Sequence, residues 1–199
     1  RGYGWYMRAA SLSARHEDPT AAVDAAIADF TEEVKIDKGA YQGWMTRALV
    51  RYERALRRRS GPDAAADFRG SFEDLEQAYR LTKGGDPQVM RAEVLLDWGR
   101  YEAARGNPEA SSLFLGVVND GREAVERGSS KPRVAAFTGQ AHFKLGIALF
   151  GSGRDPTKEL EAAVADLEVA KPTAEVLSCR GLAKSNLGTY VMTKGGDPT

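Results

Sequence analysis

One unit recurs along the chain, and a recurrence of this kind restricts the fold more than any other property of a sequence. Three windows align without a gap: Trp5–Thr20 (WYMRAASLSARHEDPT), His142–Thr157 (HFKLGIALFGSGRDPT) and Lys184–Thr199 (KSNLGTYVMTKGGDPT). All three end in Asp-Pro-Thr and place a small residue (Ala9, Gly146 or Gly188) at the fifth position. Leu95–Glu109 is the same unit one residue shorter, with Gly99 in the small place, and Trp44–Ala64 is a longer version with Ala48 there. Successive small residues lie 39, 51, 47 and 42 positions apart.

The unit reads as helix, corner, helix. His142, Leu145, Gly146 and Leu149 fall at i, i+3, i+4 and i+7, one face of a helix. GSGRDP breaks that pattern: glycines leave a helix, Asp155 is placed to cap the next one and Pro156 suits its first position. Leu160, Ala163, Val164, Leu167 and Ala170 make the second stripe. The other copies are followed by equivalent stripes: Val23, Ala26, Ile27, Phe30 and Val34; Phe68, Phe72, Leu75 and Tyr79; and Phe114, Val117, Val118, Ala124 and Val125, a stripe that Gly121 weakens.

No two-residue alternation persists long enough for a strand. The expected fold is therefore all-α: nine helices, as four hairpins and an unpaired ninth helix over about 173–192. The repeats run approximately 2–38, 39–85, 86–130, 131–172 and an incomplete 173–199. The ninth helix ends in TKGGDPT, so its partner helix is expected to start at Pro198 and Thr199, and the chain reads as an excised piece that begins at Arg1 rather than Met. TKGGDP occurs also at 82–87, where Gly84 and Gly85 are expected to end one helix through positive φ and Asp86 to cap the next.

Composition narrows the partners. With 28 basic and 28 acidic residues there is no electrostatic footprint for nucleic acid or an anionic membrane surface. No apolar run is long enough to span a bilayer. Cys179 is the only cysteine, which leaves no intrachain disulfide or thiolate cluster and points to a cytoplasmic setting. Neither cofactor nor metal is expected.

With those residues laid out, the unit resembles the tetratricopeptide repeat (TPR). That family places a large residue in its first helix, a leucine or similar residue three positions on, and then a small one. Here those places hold Trp5–Arg8–Ala9, Trp44–Arg47–Ala48, Leu95–Trp98–Gly99, His142–Leu145–Gly146 and Lys184–Leu187–Gly188. The small, large, small pattern of the family's second helix is matched by Ser71–Leu75–Ala78 and Ala163–Leu167–Ala170. Ala26–Phe30–Glu33 and Val117–Gly121–Ala124 each miss one place.

Small residues belong there because the two helices of a hairpin cross closely. Every spacing exceeds the family period of about 34 residues, so longer two-helix repeats of the HEAT kind, about 40–47 residues, stay open. The family aromatic three positions past the small residue is replaced by Leu12, Arg51, Glu102, Leu149 and Val191. The resemblance implies an α-solenoid of about four and a half helix-turn-helix repeats wound as a right-handed superhelix. Such arrays accompany bacterial signalling proteins, so it also implies a scaffolding or regulatory piece.

Catalytic signatures are missing: no HExxH, no CxxC and no phosphate-cradling loop. His16 sits in a polar corner, His142 takes a packing position in a helix, and Cys179 reads as a small buried residue. No enzyme is expected. Arg51, Arg54, Arg57, Arg58 and Arg59 form the one dense basic run, read either as solvated charge at a helix C-terminus or as a docking patch for an acidic or phosphorylated partner. Arg8 and Arg47 are expected to snorkel or to pair with acids of the adjoining helix.

In tetratricopeptide arrays the first helices line a concave groove that holds a partner peptide or helix. Carried over by register, the groove positions are Tyr6, Met45, Leu49, Tyr52, Leu96, Arg100, Phe143, Ile147, Phe150, Ser185 and Met192. If exposed they form an apolar interaction patch; the opposing reading buries them between repeats. Arg100 is the one cation among them, which disfavours the carboxylate clamp of co-chaperone members. The expected function is a protein-interaction module with a protein or peptide partner. Self-association as a homo-oligomer through the groove or the cut end is the alternative.

Overall fold

A computed structural model describes residues 1–59, 61, 63–82 and 84–195, and among these the chain is all helix, with no strand. The helices are α1 (Gly2–Ala14), α2 (Thr20–Ile36), α3 (Tyr41–Arg58), α4 (Ala64–Leu81), α5 (Asp86–Ala104), α6 (Ala110–Glu126), α7 (Lys131–Gly151), α8 (Thr157–Val169) and α9 (Ala174–Thr193). The segment expected to open a partner for α9, Pro198 and Thr199, lies outside the described residues. No described helix is long and apolar enough to cross a membrane.

The chain forms two compact units, Arg1–Lys83 and Gly84–Thr199. In the first unit α1 packs on α2, α2 on α3 and α3 on α4. In the second, α5 to α9 each pack on the next helix, and the first helices α5, α7 and α9 also pack side by side. Consecutive helix packing of this kind is the pattern of a helical-repeat array.

Local chemistry explains the corners. The Asp18 carboxylate accepts the N–H of Thr20 at 2.9 Å, and Asp155 does the same for Thr157 at 2.9 Å. The threonine hydroxyl's hydrogen bond, and after it this N–H bond, holds each carboxylate below its ordinary range. The helices start at the threonine rather than at the proline, so the aspartate caps from one residue further out than expected. Gly106, Gly153 and Gly195 leave their helices with φ of +71°, +73° and +76°, and His16 holds the equivalent place at 59°. This left-handed conformation favours glycine, so His16 is the strained member of the set.

Gly84 and Gly85 behave otherwise. Gly85 has φ −85°, and Gly84 is not among the positive-φ glycines. A side chain on Gly85 would meet the carbonyl oxygen of Ala124 at 2.9 Å, so a close approach and not a turn requires glycine here. Asp86 is the first residue of α5 and makes no capping bond.

Four of the five small positions are buried. Ala9 sits in a cluster with Ala22, Val23, Ala26, Ile27 and Phe30, and Ala48 is fully buried in α3. A Cβ on Gly99 would meet Phe114 at 2.6 Å, and one on Gly146 would meet Leu160 at 2.7 Å. Gly188 is the exception: it has no atom within 4 Å of that position, because α9 has no second helix among the described residues.

Candidate functional site

The second helices carry a regularity that apolar periodicity alone does not show. The residue before the central large position is aspartate in every hairpin: Asp29 before Phe30, Asp74 before Leu75, Asp120 before Gly121 and Asp166 before Leu167. In α4 and α8 the motif occurs twice, seven residues apart, as Asp67-Phe68 with Asp74-Leu75 and as Glu159-Leu160 with Asp166-Leu167. A spacing of seven returns a side chain to the same face, so each acid flanks a core residue and points to the edge of its first helix.

The first helices answer those acids. Arg47 grips Asp74 through two nitrogens, Nε to Oδ2 at 2.9 Å and Nη2 to Oδ1 at 2.6 Å. Arg51 donates to the same carboxylate at 2.9 Å and to the Gly70 carbonyl at 3.0 Å. Arg54 joins Asp67 to Asp24 of α2, and Arg58 lies 3.7 Å from Asp67. In the second unit Arg91 takes Asp120 at 2.9 Å, Thr138 donates to Asp166 at 2.6 Å, and His142 Nδ1 lies 2.6 Å from Glu159. Asp29 is the exception, with its Oδ2 buried and without a hydrogen bond; it shares a shallow pocket with Arg1, Trp5 and Arg8.

Part of the basic run belongs to this ladder: Arg51, Arg54 and Arg58 are held by carboxylates of α2 and α4 and Arg57 pairs with Glu53, while Arg57 and Arg59 are exposed. Arg47 pairs with an acid of the adjoining helix as expected, whereas Arg8 is exposed and stacks 5.3 Å over the Trp5 ring.

Within each unit the groove candidates divide between core and less buried positions. In the first unit Tyr52 is core, 7% exposed and tilted against Phe68 at 6.3 Å, while Met45 and Leu49 are half-buried. Tyr6 donates its hydroxyl to Glu53 at 2.9 Å, and burial aided by that carboxylate pushes its pKa up to about 12. In the second unit Leu96 and Phe143 are core, 3% and 8% exposed. Ile147 and Phe150 are half-buried, Phe150 meeting Tyr190 edge-on at 6.1 Å, and Ser185 and Met192 are exposed.

A largely half-buried set of polar residues links α5, α7 and α9. Arg100 marks it, donating to Asp97 at 2.9 Å and also to Gln140 of α7 and Glu175 of α9. Glu93, one turn before Asp97, has no hydrogen bond or ion pair among the described residues, and burial followed by the charge of Asp97 holds its carboxyl above the ordinary range despite Arg133. Cys179 lies nearby, its thiol pushed up by burial. Nothing in the apolar stripes signals this side, because its residues fill the gaps between core positions.

A cleft of about 290 Å³ opens between α6, α7 and α8, walled by Val118, Val125 and Val134 with Thr138, His142 and Asp166 at its polar end. The ladder already engages those three polar groups. Among the described residues no three of His, Cys, Asp and Glu converge as they would to hold a metal ion. Neither protein-family models nor curated proteins give a match to this chain.

Proposed function

We propose that this chain is a tetratricopeptide-like interaction module that takes a partner segment along the side where α5, α7 and α9 lie next to one another. The observation that carries the reading is Glu93. It is a half-buried carboxylate without a hydrogen bond among the described residues, one turn from Asp97 and acted on by the charge of Arg133. A carboxylate so placed is under-solvated, and a cationic side chain from a partner relieves it. The surrounding groups are locked by hydrogen bonds, so a partner loses little of its binding energy to ordering the site. In this reading the module binds and does not catalyse.

Capture from a lysate of the source cell by immobilised chain, with Glu93→Gln and Glu93→Lys as parallel baits, tests the reading. The expected result is a partner set retained by the original chain, weakened by the amide and lost with lysine, while circular dichroism is unchanged. Equal capture by all three baits counts against it. A second reading, self-association, is favoured by the large apolar side chains exposed on α1 (Tyr3, Met7) and α9 (Leu182, Met192). Light scattering over a concentration series decides it.

A further inference from the structure

The hairpin of α7 and α8 lacks the arginine that its neighbour uses, and a cleft opens beside the acid that the arginine would hold. In the hairpin of α5 and α6, Arg91 holds Asp120 through Nε at 3.1 Å and Nη2 at 2.9 Å. Asp166 of α8 stands at the register of Asp120, each directly before the central position of its helix. Arg91 lies eight residues before Gly99, and the residue eight before Gly146 is Thr138. The threonine donates to Asp166 Oδ2 at 2.6 Å, but it brings no charge and is far shorter than an arginine. α7 has Leu145 and Leu149 where α3 places Arg47 and Arg51, so the other arginine positions do not compensate. Asp166 is therefore a half-buried carboxylate with no ion pair among the described residues.

The cleft of about 290 Å³ at this acid has three zones. Its polar end holds Asp166, Thr138 and His142. His142 Nδ1 lies 2.6 Å from Glu159, whose carboxylate only accepts, so Nδ1 carries the proton and Nε2 of the neutral ring is an acceptor. This end thus offers an unneutralised charge and a second acceptor. Val118, Val125 and Val134 make the middle apolar. Toward the corner between α6 and α7 the cleft carries both signs of charge, Arg122 and Lys131 with Glu126, all three exposed and none in an ion pair among the described residues. Lys131 precedes Thr138 by seven residues, about 10 Å along α7.

We propose that this cleft is a binding site for a free ω-guanidino amino acid of arginine's length. The guanidinium takes the place left by the arginine missing from α7, against Asp166 and His142 Nε2, and the methylene stem lies on the valines. The α-carboxylate faces Arg122 and Lys131, and the α-ammonium faces Glu126. Size and charge decide the class. The volume of about 290 Å³ is at the small end for ligand pockets, so it suits one amino acid and not a nucleotide. A guanidinium meets a carboxylate through two nitrogens, as Arg47 and Arg91 do on the equivalent acids, whereas an ammonium makes a point contact. The site shares no residue with the Glu93 side and does not rest on the reading proposed for it.

Titration of the isotope-labelled 1–199 chain with L-arginine, followed by heteronuclear NMR, tests the site. Saturable shifts are expected, confined to α6, α7 and α8. L-citrulline keeps the length and loses the charge, and is expected to bind at least about tenfold more weakly. Asp166→Asn in the protein is expected to weaken arginine by a similar factor with circular dichroism intact. Thr138→Arg supplies the guanidinium from within the chain, and is expected to abolish the shifts and raise the melting temperature. Absence of saturable shifts with L-arginine overturns the proposal, and so does equal binding of citrulline. Binding of N-acetylarginine amide as tight as that of arginine also overturns it, because the cleft then reads only a side chain such as a partner protein carries. Binding that appears only after Arg122→Gln overturns it too, since α6 then fills the place itself.

Discussion

Alanine at Gly146 and at Gly188 tests the packing argument by sign. The two positions are equivalent in the repeat and both lie within helices, so each substitution gains about 1 kcal/mol of helix propensity. At Gly188 nothing opposes the gain, because no atom lies within 4 Å of the new Cβ. At Gly146 the methyl lands 2.7 Å from Leu160 Cδ2 and 2.8 Å from its Cγ. Leu160 is fully buried and cannot swing out, so α8 must shift. Overpacking of this kind costs about 1–3 kcal/mol.

Propensity cancels between the two variants, and their difference isolates the crossing: Gly188→Ala is expected to be more stable than Gly146→Ala by about 1–3 kcal/mol. Urea unfolding followed by far-ultraviolet circular dichroism reads the difference, with unchanged m-values as the control. Equal stabilisation by both substitutions would refute the claim that a small residue is what lets α7 and α8 close.

Asp74→Ala strands Arg47 and Arg51 at a buried edge and is expected to cost about 3–5 kcal/mol by denaturant titration, the loss seen when one partner of a buried pair is removed. Tyr52→Ala and Phe143→Ala each empty a core site and are expected to cost about 3–5 kcal/mol in melting or urea unfolding, which disqualifies them as probes of binding. Gln88 is fully buried with neither side-chain atom hydrogen-bonded among the described residues, so Gln88→Met, of similar shape, is expected to stabilise by about 1–3 kcal/mol. Glu93 supplies the pH test: its folded pKa lies above the ordinary 4.5, so its penalty is absent at low pH and grows as pH rises through the folded value. Glu93→Gln is therefore expected to raise the melting temperature at pH 7 and to have no effect below about pH 4.

The helices, their corners and the tight crossings were legible because each has a local cause. The stripe from Leu160 to Ala170 repeats at helical spacing, Asp18 and Asp155 bind the backbone two residues on, and Gly99 and Gly146 lie where a second helix must come close. The interaction side was not legible in the same way. Register placed Leu96 and Phe143 in a groove, but both are core residues, and a half-buried polar row falls instead on Glu93, Asp97 and Arg100. Nor did the arginines of α3 declare themselves as structural, since their partners lie on other helices: Asp24 and Asp67 stand 30 and 13 residues from Arg54. The signal was present in the acids, in the doubling of acid and large residue at seven in α4 and α8.

That doubling explains why hairpins of similar apolar pattern find one register. Leucine seats alone tolerate a slide, because a helix displaced by one turn still presents apolar residues to its neighbour. The acids remove that freedom. A shift of one turn in α4 carries Asp74 about 5.4 Å from Arg47 and leaves a carboxylate and a guanidinium buried apart. Such a pair adds little net stability compared with apolar residues of the same volume, but breaking it costs about 3–5 kcal/mol, so its contribution is to penalise the wrong alignments.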